Sequence, residues 1–473
     1  MTTNNIYKKR YNISNEIAFI NQLQKTTRLK VKSSCELDSK IGWLKKDSPK
    51  GYSLDVRSTV QFEVDTTGEI ELINSKLSLK TKNYFLQTEN HSFSPNSQKH
   101  SCVLKLYSFK SSISPQNNEG YYKQVIPIKH GTHFLYQILD ESYLLDNGTK
   151  CRGLIKTNIG DNKFGSFITT LNQKSYLVIE CAEKISLKNF QDSAWAIIIS
   201  LGYLLAYLMQ NECYYFYYED SSLSKFASFE YNQLRESIYS IYEPINCNPY
   251  GWNNTKDIAE SYDKKLERIS FEHFSNLCNL IYENIEIKGI VLLILECLNR
   301  TLLLMPAGFS IALEGLSEYF YTQNSEKLNP IKDKNLSSKL HLEFNEVLKR
   351  YVDKISPESY TIIGNKINDF NKPTNPEKLK SPFKILNLRL TDIDEIVIRH
   401  RNDFLHGRMN FDSKNSKHTY EMNVLEISLR LLTLLNSIIL KMIGYDGYIL
   451  NHVKLQENGC GKIINEPPYI KLS

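Results

Sequence analysis

No two of the nine cysteines form a C-x-x-C pair. They lie at positions 35, 102, 151, 181, 213, 247, 278, 297 and 460, scattered and odd in number. Ligand spacing between cysteines and histidines is missing as well. These absences exclude a disulfide framework and a structural zinc site, and point to reduced thiols in a cytosol. Neither a metal nor another cofactor is expected. Long hydrophobic runs are also scarce. The run at 194–209 (AWAIIISLGYLLAYLM) falls about two residues short of a spanning helix. It is flanked by Asp192 and Glu212 rather than by basic residues, so it reads as a buried core helix and not a membrane span. A strong charge of one sign is absent too: 58 basic residues against 52 acidic ones leave +6, which permits an anionic partner without demanding one. The polar first residues lead to Lys8, Lys9 and Arg10 with no apolar segment of a secretory signal, so a cytoplasmic protein is expected. No internal repeat is found.

What is present is ordinary for a globular chain: 473 residues, 41% hydrophobic and 23% charged. That length suggests two to four domains. Residues 1–35 carry weak helical periodicity. From about 40 to 185 the pattern is that of short strands. Residues 53–64 alternate, with Leu54, Val56, Val60, Phe62 and Val64 on one face, and a hairpin-type turn follows at 65–69. Residues 70–79 alternate again, and further short strand candidates follow, separated by Asn/Ser/Pro/Gly segments. This spacing predicts a β-sandwich or an open barrel. A long apolar helix is expected over about 190–210. The aromatic run at 213–218 (CYYFYY) reads as a buried strand rather than a base-stacking platform. From about 262 onward, helices dominate: 266–283, 288–304, 309–322, 336–351, 358–370, 391–406 and 420–442. The stretch 371–384, rich in proline, cannot be helical throughout. The fold expected is α+β. A β-rich N-terminal region spans 1–250, an all-α domain 260–445, and a tail 446–473.

Chemistry concentrates at 401–407 (RNDFLHG). Thr391 and Asp394 resemble a capping box, and Gly407 suits a left-handed C-terminal cap, so the motif occupies the last turns of one helix. At about 100° per residue, Ile393, Ile396, Val397, His400 and Phe404 form one stripe, the expected core face. Arg401, Asn402, Leu405 and His406 fall on a second face with Ile398, left free for a substrate or partner. Arginine grips phosphate in a planar fork, and histidine transfers protons near neutral pH. Spacing alone is weak evidence, because Arg268 and His273 repeat it without the amide or the glycine. His273 reads as part of an ordinary amphipathic helix.

On these residues the chain resembles the HEPN superfamily of ribonucleases, whose signature is Arg, a polar residue, three to five more residues, then His. The form RNxxxHG before a final apolar helix is most similar to the Apea-like branch of bacterial antiphage proteins, over roughly 285–445. The resemblance implies a helical HEPN bundle that dimerises across the motif helix, two motifs building one cleft. It implies metal-independent RNA cleavage through a 2′,3′-cyclic phosphate, with structured tRNA loops among the candidate targets. His406 would transfer protons, Arg401 would stabilise the phosphorane, and Asn402 would orient one of them. Arg399 and Arg408 would contact the RNA backbone, and Glu314 is a further candidate to support the site. The role implied is that of an antiphage effector acting by abortive infection. The β-rich region would sense a trigger, either a phage component or a small molecule. The alternative reading is a HEPN module that only dimerises or binds RNA.

Overall fold

The computed structural model describes residues 11–33, 37–47, 51–58, 68–94, 97–112, 119–145, 147–251, 255–405 and 422–472. His406, Gly407 and Arg408 lie outside these, as does most of the turn expected at 65–69. The chain is mixed α+β, an antiparallel β region followed by a helical one. It forms two compact units. The first runs to Ile241 and includes Arg268–Glu283; the second takes Tyr242–Glu267 and everything from Asn284.

The first unit is built on one sheet of fifteen strands among the described residues. Its edges are Glu141–Leu144 and Tyr84–Ser94. Six strands matter here: β1 (Ile41–Lys46), β2 (Tyr52–Ser58), β3 (Glu119–Ile128), β4 (Lys174–Ser186), β5 (Glu212–Tyr218) and β6 (Ser228–Gln233). In the sheet β4, β3, β5 and β6 are consecutive neighbours, and β1 and β2 lie several strands away. Yet the Tyr52 hydroxyl of β2 is 3.0 Å from the Tyr214 hydroxyl of β5. The Tyr52 ring also meets Tyr231 of β6 edge-on at 4.8 Å, and Lys46 pairs with Glu212. The sheet therefore curls so that distant strands face each other across a shared core, as the accumulated twist of many strands allows.

The aromatic run supplies that core. Tyr214, Phe216 and Tyr218 are fully buried on one face, and Tyr215 and Tyr217 are half-buried on the other, which also carries the buried Cys213. This is a buried central strand, as the sequence suggests. Burial pushes the hydroxyls of Tyr214 and Tyr218 well above the ordinary tyrosine range.

Helix α1 (Ser14–Leu23) buries Ile17, Ile20 and Leu23 against the sheet. It also buries Glu16. Lys123 of β3, completely enclosed, lies 3.4 Å from that carboxylate and donates to the Leu223 carbonyl at 3.0 Å. The Tyr218 hydroxyl donates to Glu16 as well. The apolar run forms α2 (Leu187–Leu205), capped at its start by the Ser186 side chain, which accepts from the Asn189 N–H. It stops at Ala206, whose φ of 47° is left-handed. Helix α3 (Phe271–Glu283) packs on α2, and no helix among the described residues is long and apolar enough to cross a membrane.

The second unit holds α4 (Ile285–Leu298), α5 (Met305–Leu328), α6 (Lys334–Lys349), α7 (Pro357–Asn368), α8 (Asn375–Ile385), α9 (Asp392–Leu405) and α10 (Val424–Met442). Prolines punctuate it. Pro306 opens α5 in the first turn, where its missing N–H costs nothing, rather than merely ending the helix before it. Pro376 opens α8 the same way, so much of the proline-rich connection is helical. Helices α4 and α5 cross closely: a Cβ on Gly308 would collide with the Cys297 sulfur. Every residue of α10 from Glu426 to Leu440 is buried, the central position expected of it. The last residues are not loose, because Tyr448–Leu450 pairs antiparallel with Tyr469–Lys471.

Candidate functional site

The motif helix begins as the sequence suggests. The Thr391 N–H donates to the Asp394 carboxylate at 2.9 Å, and the Asp394 N–H donates to the Thr391 hydroxyl at 3.2 Å. This is a reciprocal capping box with aspartate in the usual place of glutamate. Asp392, Asp394 and Glu395 crowd the first turn, where carboxylates meet the positive end of the helix dipole.

The face that α9 buries differs from the expected stripe. Val397, Ile398 and Arg401 are buried, and Ile393 and Ile396 are only half-buried. Among the described side chains, burial therefore extends from Val397 toward Ile398 and Arg401; His400 and Phe404 of the expected stripe lie outside them. The free second face assigned to Arg401 and Ile398 is therefore corrected. Both turn inward, and α9 packs on α5 and α10. The physical reason is a partner that periodicity does not reveal.

That partner is Glu314, midway along α5. Its carboxylate accepts from Arg401 Nη2 at 2.7 Å. Only 6% of the Arg401 side chain is exposed, against 41% for Glu314. A buried arginine demands such compensation, because an uncompensated buried cation costs several kcal/mol. The compensation is partial. Arg401 Nε is enclosed and has no hydrogen-bond partner among the described residues. A guanidinium carries five N–H donors in a fixed fork, and an unsatisfied buried donor costs about 1–3 kcal/mol.

The other sequence candidates fall around this pair. Arg399 is exposed on α9, and Asn402 follows Arg401 on the same helix. His406 and Arg408 lie just beyond its described end. An isolated glutamate on a helix normally reads as a solvated face, so only the ion pair with Arg401 singles out Glu314. Arg268 behaves differently from Arg401. It precedes its helix, pairs with Asp140 at 2.9 Å and donates to the Leu135 carbonyl at 3.3 Å. His273 lies on α3, the ordinary helix expected for it.

Behind α9, Arg430 of α10 is buried among carboxylates. It lies 2.6 Å from Glu466, 3.4 Å from Glu426 and 3.7 Å from Asp394. Burial works against its charge, but the three carboxylates prevail and raise its pKa. Asp394 thus belongs both to the capping box and to this cluster, which fixes the start of the motif helix. A cavity of about 320 Å³ opens beside it, lined by Leu388, Arg389, Arg430, Leu434, Glu466 and Ile470 among others. It sits at the opposite end of the helix, seven residues or roughly 10 Å from Arg401 by the helical rise. It is separate from the Arg401–Glu314 pair. Comparison with protein-family models, with curated proteins and with solved structures gives no match.

Proposed function

We propose that this protein is a metal-independent endoribonuclease of HEPN type, acting as an effector of bacterial antiphage defence. One observation carries the reading. Buried Arg401, near the end of a capped helix, pairs with Glu314, and its Nε has no partner among the described residues. A phosphate oxygen is the acceptor that such a donor suits best.

In this reading the ribose 2′-OH attacks the adjacent phosphorus and the P–O5′ bond breaks. The products are a 2′,3′-cyclic phosphate and a 5′-OH. His406 removes the 2′-proton or delivers one to the departing oxygen. Arg401 stabilises the charge that grows on the phosphorane, and Glu314 fixes its guanidinium. Asn402 orients the phosphate or the histidine, while Arg399 and Arg408 hold the RNA backbone. Exposed bases of structured loops, as in tRNA, are the accessible targets.

The site is completed by a second copy. Ile311 lies one turn before Glu314 on α5 and is 50% exposed, and Leu303 and Leu304 at the mouth of that helix are each 56% exposed. An aliphatic patch bordering a polar pair supports a two-fold contact that brings two motifs together. The β unit would then sense the trigger and restrain the nuclease.

A second reading has its own support. Glu314 already neutralises Arg401, as in a purely structural ion pair. In that case the helical unit is a module that dimerises or binds RNA without cutting it. Incubating purified protein with total RNA separates the two. Cleavage that persists in EDTA and disappears in Arg401→Ala and His406→Ala supports the nuclease. Intact RNA with every variant supports the module.

A further inference from the structure

The cavity beside the start of α9 is lined both by buried charge and by apolar carbon. Arg430 anchors its polar part, with only 4% of the side chain exposed. Its Nη2 donates to Glu466 at 2.6 Å and its Nε to Glu426 at 3.4 Å. Glu466 is held in turn by the buried Asn451 amide at 3.0 Å. The remaining nitrogen, Nη1, faces Asp394 Oδ1 at 3.7 Å, beyond hydrogen-bond reach. The other oxygen of Asp394 accepts from the Thr391 N–H and hydroxyl at 2.9 and 2.6 Å. A donor and an acceptor therefore stand next to each other, each fixed from behind. Neither is hydrogen-bonded among the described residues.

Such a couple suits a neutral edge that carries an acceptor beside an N–H. Three carboxylates already surround Arg430, so a further anion is unwelcome there. A lone ammonium would leave Nη1 without an acceptor. The hydrogen-bonding edge of a nucleobase has both groups, and apolar side chains receive its faces. Phe383, Leu388, Leu434, Val453 and Ile470 supply such surfaces in this lining. Arg389 and Lys471 line the cavity too, and both are exposed. Neither makes an ion pair among the described residues, so both are available to a phosphate on the solvent side. At about 320 Å³ the cavity lies at the low end of the range for ligand sites, about 300–1,000 Å³, which favours a small occupant.

We propose that this cavity binds a single free nucleotide, with its base edge on Arg430 and Asp394 and its phosphate on Arg389 and Lys471. The site does not depend on the nuclease reading and lies at the other end of α9 from Arg401. Asp394 also closes the capping box, so an occupant here steadies the first turn of the motif helix.

Equilibrium dialysis of the full chain against UMP, CMP, AMP and GMP, with the matching nucleosides alongside, tests this. At least one nucleotide should saturate at one per chain, and its nucleoside should bind at least tenfold more weakly. Arg389→Glu should weaken the nucleotide tenfold or more and leave the nucleoside unchanged. Leu434→Trp fills the cavity and should abolish both, while Arg401→Ala should change neither. Arg389 is exposed, so Arg389→Glu keeps the test open should Leu434→Trp misfold. The proposal is overturned if none of the four binds at millimolar concentration, or if a nucleoside binds as tightly as its nucleotide. Binding that survives in folded Leu434→Trp overturns it as well, as does binding lost in Arg401→Ala, which would place the nucleotide at the motif. The readout is bound nucleotide and not RNA cleavage, so a failed nuclease assay leaves this result standing.

Discussion

In the proposed site Arg401 meets two demands at once: it is held in place by burial, and its Nε has no partner among the described residues. Glu314 supplies the first, and Nε is the donor the second would use. Replacing Arg401 by lysine keeps the charge but loses the fork, so RNA cleavage should fall at least a hundredfold, with a melting temperature lowered by only a few degrees. Glu314→Ala should lower kcat by an order of magnitude or more with little effect on KM, and Glu314→Gln should recover part of that loss. Equal effects on both parameters, or none, would remove Glu314 from the site. The motif itself was legible in the sequence because Arg, amide, His and Gly are distinctive in that order. The pairing of Arg401 with Glu314 was not, because the two positions lie on different helices and no local pattern links them. A second residue, His452, contributes to the response to acid. It is fully enclosed, with its ring 5.6 Å from that of Tyr242, and burial lowers its pKa to about 3. The folded pKa lies below the unfolded value near 6.5, so the neutral form stabilises the fold. This contribution is complete above pH 6.5 and is lost as pH falls toward 3, on the order of 1.4 kcal/mol per unit. Urea melts across that window should show the loss, and His452→Gln should flatten the slope.

At the scale of the element, α9 shows where periodicity succeeds and where it misleads. Its bounds were readable from the capping box, and hydrogen bonds reproduce the reciprocal geometry. Removing the cap with Thr391→Ala should cost about 1 kcal/mol of helix stability and loosen the motif end. A lower melting temperature together with reduced RNA cleavage is the expected outcome, and an unchanged melting temperature would mean that the cap contributes nothing. On α9 the wheel places Arg401 outward because it counts arginine as polar, whereas Arg401 is buried. A carboxylate on a neighbouring helix reverses that assignment. Helix α8 was hidden for a related reason: three prolines in 371–384 suggest a broken segment, yet Pro376 stands where a first turn tolerates it, and Pro382 is accommodated within.

At the scale of the whole molecule, the division into a sheet and a helical half was legible, because strand alternation and helical periodicity dominate different stretches of sequence. The closure of the sheet was not, since it depends on contacts between β1–β2 and β5–β6, which are far apart in the chain. Nor was the return of Arg268–Glu283 to the first unit, because its pattern is as helical as that of its neighbours. The buried pair of Lys123 and Glu16 joins the N-terminal helix to the sheet core. Lys123→Met should leave the Glu16 carboxylate uncompensated and cost about 3–5 kcal/mol in the first unit, read as an early transition in thermal melts. The double change Lys123→Met with Glu16→Gln should recover most of it.

The central claim is that the site built around Arg401 and His406 cuts RNA without a metal. Sequencing the RNA ends left by purified wild type in EDTA tests it most directly. The account predicts 2′,3′-cyclic phosphate and 5′-OH ends at discrete sites, absent with Arg401→Ala and with His406→Ala. Ends bearing 5′-phosphates, cleavage abolished by EDTA, or the same products from either variant would contradict it.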